Sequence, residues 1–127
     1  MGCETVLLAE DEQLVRQLVA ETLERLGYSV LAAANGVEAL EQLDAHDGSV
    51  DLLLTDVVMP GMNGRELAKL VRERRPETRV LFMTGYAEDA VTSDGVLQPG
   101  AELLEKPFAA ADLGAKVRAV LDAVPAA

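Results

Sequence analysis

Apolar residues along this chain come in two alternating patterns. Short continuous runs, such as Val6-Leu7-Leu8-Ala9 and Leu52-Leu53-Leu54, suit strands buried on both faces and are too short for helices. Between them, apolar positions recur three and four apart, as on one face of a helix. In chain order, residues 5–9 predict a first strand, ending at Glu10-Asp11-Glu12. Val15, Leu18, Val19, Thr22, Leu23 and Leu26 predict an amphipathic helix, with Gly27 just past its end. Residues 28–33 predict a second strand. Asn35-Gly36 opens a second helix with Val37, Ala39, Leu40 and Leu43 as its apolar face, and Asp47-Gly48 closes it. A third strand runs from Val50 to Asp56 and breaks at Pro60-Gly61. Asn63-Gly64 opens a third helix with Leu67, Leu70 and Val71 inward; Arg72, Arg74 and Arg75 suit its C-terminus and Pro76 stops it. Residues 79–84 predict a fourth strand. A short helix over residues 88–92 is interrupted by Gly95 and Pro99-Gly100. Residues 101–105 predict a fifth strand, and Leu113, Val117, Val120, Leu121 and Val124 mark a last helix. Such alternation predicts an α/β, doubly wound fold: a parallel sheet with helices on both faces, in a single domain over residues 1–127.

Composition narrows this picture. Half of the 127 residues are hydrophobic, enough for one core, but with two Phe, two Tyr and no Trp that core is aliphatic. A net charge of -11 argues against nucleic acid and against an anionic membrane surface, and favours cationic partners, metal ions included. Cys3 is the only cysteine, so no internal disulfide forms. Neither a signal peptide nor an apolar run of membrane-spanning length is visible, which points to a cytoplasmic protein without direct membrane contact.

The chemistry sits at the ends of the predicted strands. Strand one ends in Glu10 and Asp11, strand three in Asp56, strand four in Thr84, and strand five leads to Lys106. Open α/β sheets bind ligands at the carboxyl ends of their strands, so these side chains share one edge. Any one of them alone reads as a cap; Asp11 or Glu12 could simply cap the first helix. All five together do not. Three carboxylates at one edge repel each other unless a cation joins them, and hard oxygen ligands with room for water suit Mg²⁺. A carboxylate beside that ion can attack a phosphoryl group, with the lysine and the hydroxyl holding the phosphoryl oxygens. Asp56 is the strongest candidate for the nucleophile.

In this arrangement the chain resembles the receiver domain of two-component response regulators. The matching residues are Glu10-Asp11, the segment Asp56-Val57-Val58-Met59-Pro60-Gly61-Met62-Asn63-Gly64, Thr84 and Lys106-Pro107-Phe108. The segments at residues 82–86 and 95–100 look most like the receivers at the C-terminus of hybrid sensor histidine kinases. The resemblance implies a flavodoxin-like (βα)5 sandwich with strand order 2-1-3-4-5. It implies that Asp56 takes a phosphoryl group from a phosphohistidine, on a sensor histidine kinase or a histidine phosphotransfer domain. It implies Mg²⁺ on Asp11, Asp56 and the main-chain carbonyl of Val58, with Glu10 acting through water, and Thr84 and Lys106 on the phosphoryl group. Slow self-catalysed dephosphorylation, a conformational switch at Thr84 and a phosphorylation-dependent dimer belong to the same expectation. Two positions depart from the common pattern. Glu10 replaces the more usual Asp, and Leu103 stands where a switch aromatic is usual, leaving Tyr86 as the nearby aromatic.

Rival readings are weaker. An aspartate-nucleophile phosphatase needs a second acid two residues after the nucleophile, and Val58 occupies that position. A degenerate receiver that only binds a partner is disfavoured by the joint presence of Asp56, Thr84 and Lys106. No DNA-binding domain follows Val124, which argues against a transcription factor for this chain alone. His46 reads as a residue at a helix end rather than a phosphohistidine relay, and no dinucleotide fingerprint follows strand one.

Overall fold

The computed structural model describes residues 4–59, 61–84, 102–105 and 109–122. The elements alternate: β1 (Thr5–Ala9), α1 (Gln13–Arg25), β2 (Ser29–Ala33), α2 (Gly36–Ala45), β3 (Leu52–Asp56), α3 (Gly64–Arg74), β4 (Arg79–Thr84), β5 (Glu102–Glu105) and α4 (Ala110–Asp122). All strand pairs are parallel, in the order β2-β1-β3-β4-β5 that the resemblance implies. The helix expected over residues 88–92 and the position of Val124 lie outside the described residues.

Why the strands read as unbroken apolar runs is clear from the packing. Side chains alternate between the two faces of a sheet, and here both faces are covered. Leu7, Leu53 and Phe82 pack with Ala39, Leu43, Leu67 and Val71 from α2 and α3. Leu8, Leu54, Leu81 and Met83 pack with Val19 and Leu23 of α1 and with Leu113 and Val117 of α4. Each fully buried leucine contributes about 1.5–3 kcal/mol relative to exposure. The central strand β3 is buried along its whole length, Asp56 included.

Helix ends follow the expected chemistry in part. Gly27 takes φ 98°, and the N–H groups of Gly27 and Tyr28 donate to the carbonyls of Glu24 and Leu23, closing α1 in a Schellman motif. That turn uses Tyr28, so β2 starts one residue later than predicted. Asn35 caps α2 by accepting from the Glu38 N–H. Arg75 is the C-cap of α3 as expected, its N–H donating to the Val71 carbonyl at 2.7 Å, and its guanidinium crosses to the end of α2 and donates to the carbonyls of Leu43, His46 and Gly48. His46 is the C-cap of α2, at a helix end as predicted.

Three residues placed on apolar faces are instead exposed: Leu18 at 61%, Leu26 at 47% and Val37 at 59%. Successive helix residues are about 100° apart, so Leu18 sits at the edge of the stripe centred near Val19, and Val37 falls about 200° from Ala39. Thr22, expected on the same face, is buried, with its hydroxyl donating to the Leu18 carbonyl at 2.8 Å. Among the described residues, no helix is long and apolar enough to cross a membrane.

Candidate functional site

Parallel register brings the strand ends together. Ala9 is level with Thr55, Asp56 with Met83, and Thr84 with Glu105. Residues just beyond β1 therefore stand beside the end of β3. Glu10 continues the sheet edge, its N–H donating to the Ala33 carbonyl at 3.1 Å. Its side chain is fully buried and turns back, so that Oε2 accepts the Glu12 N–H at 3.0 Å. Asp11, next in the chain, is exposed and lines an open groove of about 560 Å³ between the start of α2 and Gly61-Met62. Glu12 is the N-cap residue of α1 but makes no side-chain cap. Capping therefore does not explain this run of acids.

Asp56 is held from several sides. It closes β3 at only 6% exposure, and the next residue, Val57, donates its N–H to the Met83 carbonyl at 3.0 Å. The buried Thr55 hydroxyl donates to the Asp56 carbonyl at 3.0 Å. Helix α3 starts hard against this point: Gly64 N–H donates to the Val57 carbonyl at 2.9 Å, and a Cβ at Gly64 would overlap the Asp56 carbonyl oxygen. A capping box fixes that start. Asn63 Oδ1 accepts from the Glu66 N–H at 2.9 Å and Glu66 Oε1 accepts from the Asn63 N–H at 3.0 Å.

Glu10, Asp11 and Asp56 each bring a carboxylate oxygen to a common place, all within 4.8 Å of one another. Two of the three residues are buried, where mutual repulsion is poorly screened. Such a set fits a hard divalent cation that keeps some of its water, as Mg²⁺ does. Thr84 is the last residue of β4, and Leu103 of β5 is level with Phe82. Val58 is 62% exposed beside the cluster. Lys106 and Tyr86 lie outside the described residues. Sequence reasoning missed Thr55, which read as one more strand residue, and Arg16, whose Nη1 donates to the Glu10 carbonyl at 2.8 Å. Arg16 carried one signal: it stands one helical turn after Glu12, in reach of the acidic corner.

A five-stranded parallel sheet with a carboxylate cluster beyond its carboxyl edge makes this an α/β domain with a candidate divalent-cation site at its strand ends. Residues 6–118 match the response regulator receiver domain family, and the chain belongs to that family. Receivers of two-component systems are signalling phosphoacceptors that work with histidine kinases or phosphotransfer proteins, and the acidic cluster is compatible with Mg²⁺ and phosphorylation. The sensor kinase CckA of Brucella abortus is 40% identical over 121 residues, covering 95% of this chain and 13% of that protein. The receiver domain of hybrid histidine kinase CckA superposes with a TM-score of 0.79 at 36% identity, covering 93% of this chain and 99% of that one. CpdR, a response regulator receiver protein of Brucella abortus, is 40% identical over 91% of this chain and 95% of its own length. TrrA of Thermotoga maritima, solved in complex with Mg²⁺-BeF, is 31% identical with a TM-score of 0.78, covering 92% of this chain and 98% of that one.

Proposed function

We propose that Asp56 is the phosphoryl acceptor of a two-component phosphorelay. The observation that carries this reading is the buried Asp56 carboxylate at the end of the central strand, within 4.8 Å of the carboxylates of Glu10 and Asp11. A carboxylate oxygen of Asp56 attacks the phosphorus of a phosphohistidine on a sensor histidine kinase or phosphotransfer domain. The phosphorus–nitrogen bond breaks, its electron pair returns to the imidazole, and the imidazole regains a proton. Asp11, Asp56 and the main-chain carbonyl of Val58 would hold Mg²⁺, with Glu10 acting through water. The ion supplies the positive charge that lets anionic donor and anionic acceptor meet. TrrA, bound to Mg²⁺-BeF, supports this assignment. Thr84 donates its hydroxyl to a phosphoryl oxygen and Lys106 neutralises another. Thr84, with Tyr86 replacing the aromatic absent at Leu103, carries the change to a partner or to a second copy in a phosphorylation-dependent dimer. Residues 1–127 act as one cytoplasmic receiver unit, with transfer and slow dephosphorylation catalysed by the receiver itself.

A small phosphodonor such as acetyl phosphate, with Mg²⁺, should add one phosphoryl group per chain by intact mass. Chelating the metal should stop labelling, and Asp56→Asn should abolish it. Equal labelling of the variant would overturn the assignment. Asp11→Asn should weaken Mg²⁺ binding more than Glu10→Gln, because Asp11 is the direct ligand.

A further inference from the structure

We infer that Arg16 is a positioning residue for the acidic corner: it sets the affinity for the divalent cation by tying the β1–α1 loop to α1. The inference rests on the reading of Glu10, Asp11 and Asp56 as the cation site. Arg16 lies half-buried, and its own N–H donates to the Glu12 carbonyl at 2.9 Å. Its side chain doubles back, and Nη1 donates to the Glu10 carbonyl at 2.8 Å. Glu10 is thereby held at three points. Its N–H donates to Ala33, its carbonyl accepts from Arg16, and its Oε2 accepts from the Glu12 N–H. Asp11 sits between the two residues so fixed, and its exposed side chain takes its place from theirs. Helix α1 has no side-chain N-cap bond and no acid in its first turn, so the usual ties at such a junction are missing. The longer Glu10 side chain and Arg16 do that work together.

A guanidinium bonded to the main chain of this acidic corner also admits a purely electrostatic role, and the two roles have opposite signs. The guanidinium is always charged at working pH. If it only screened the carboxylates, removing it would deepen the negative field and tighten cation binding. If it positions the loop, removing it lets Glu10 and Asp11 move apart and binding weakens.

The test is Mg²⁺ titration of the metal-free protein by calorimetry, in wild type, Arg16→Met and Arg16→Lys. Methionine keeps much of the bulk and has no donor. Arg16→Met should raise the Kd for Mg²⁺ about tenfold, the low end for residues that orient metal ligands. Lysine has one compact donor on a shorter reach and should fall between. At saturating Mg²⁺, labelling by acetyl phosphate should return to within about twofold of wild type, since geometry is restored once the ion is bound. In metal-free protein, the Glu12 amide should exchange faster in Arg16→Met, a readout independent of metal. An unchanged or lower Kd in Arg16→Met, with wild type binding normally, would overturn this inference alone. No Mg²⁺ binding by wild type would overturn it together with the reading of the cluster.

Discussion

Val58 stands two residues beyond Asp56 and is 62% exposed, and with Asp56 proposed as the phosphoryl acceptor it is the candidate to control the approach of solvent. Hydrolysis of an aspartyl phosphate needs a water held in line with the bond that breaks. A valine side chain has nothing to hold that water with, and the proposed reading gives Tyr86, two residues after Thr84 in sequence, the second place on that path. The phosphorylated form should therefore be long-lived. Val58→Asn and Tyr86→Glu should each quicken its loss by up to roughly tenfold, about 1.4 kcal/mol of barrier. Following the phosphoryl group by intact mass after removing the donor checks this. The same rate in all three proteins would show that water access does not set the lifetime.

Helix α3 is the element that holds Asp56 in place from below. Its capping box is local chemistry, visible in the sequence as Asn63 followed by Glu66. Losing it in Asn63→Ala should cost about 1 kcal/mol of stability, with labelling largely kept. Gly64→Ala should do more harm, because the added methyl meets the Asp56 carbonyl and pushes the helix away from β3. A loss of about 1–3 kcal/mol in urea unfolding is expected, together with slower labelling. A Gly64→Ala protein that labels at the wild-type rate would separate the helix start from the site. Asn-Gly reads as a helix start in either case; only the approach of two backbones makes this glycine obligatory.

Arg118 links the beginning of the described chain to its last helix. Its Nη2 lies 2.7 Å from Glu4 Oε2 and 2.8 Å from Asp122 Oδ1, and its guanidinium stands 6.0 Å from the Tyr28 ring centroid. Arg118 holds the Glu4 carboxyl below the usual 4.5, chiefly through their hydrogen bond. A carboxyl lowered on folding adds stability at neutral pH and loses it as pH falls through its folded value. Arg118→Ala should thus be less stable than wild type at pH 7, and the gap should narrow as pH falls below 4.5. Both groups are partly exposed, so the effect is small and should shrink in high salt. Thermal midpoints measured across pH in both proteins check this; a gap that widens in acid would refute it.

Short apolar runs separated by helical stripes determined five strands, their direction and the burial of both sheet faces. Parallel pairing then forces every carboxyl end to one edge, so Glu10, Asp11 and Asp56 were legible as neighbours before any coordinates. Their local caps at Asn35, Asn63 and Gly27 were legible too, because a cap involves residues only three or four apart. Tertiary structure alone decided which acids are buried, since Glu10 is fully buried and its neighbour Asp11 exposed. It alone sent Arg75 to carbonyls 27 to 32 residues away. It also left Leu18 and Val37 in solvent. Periodicity tells which side of an element a residue occupies. How deeply that side is covered, and what a long side chain reaches, depends on elements distant in sequence.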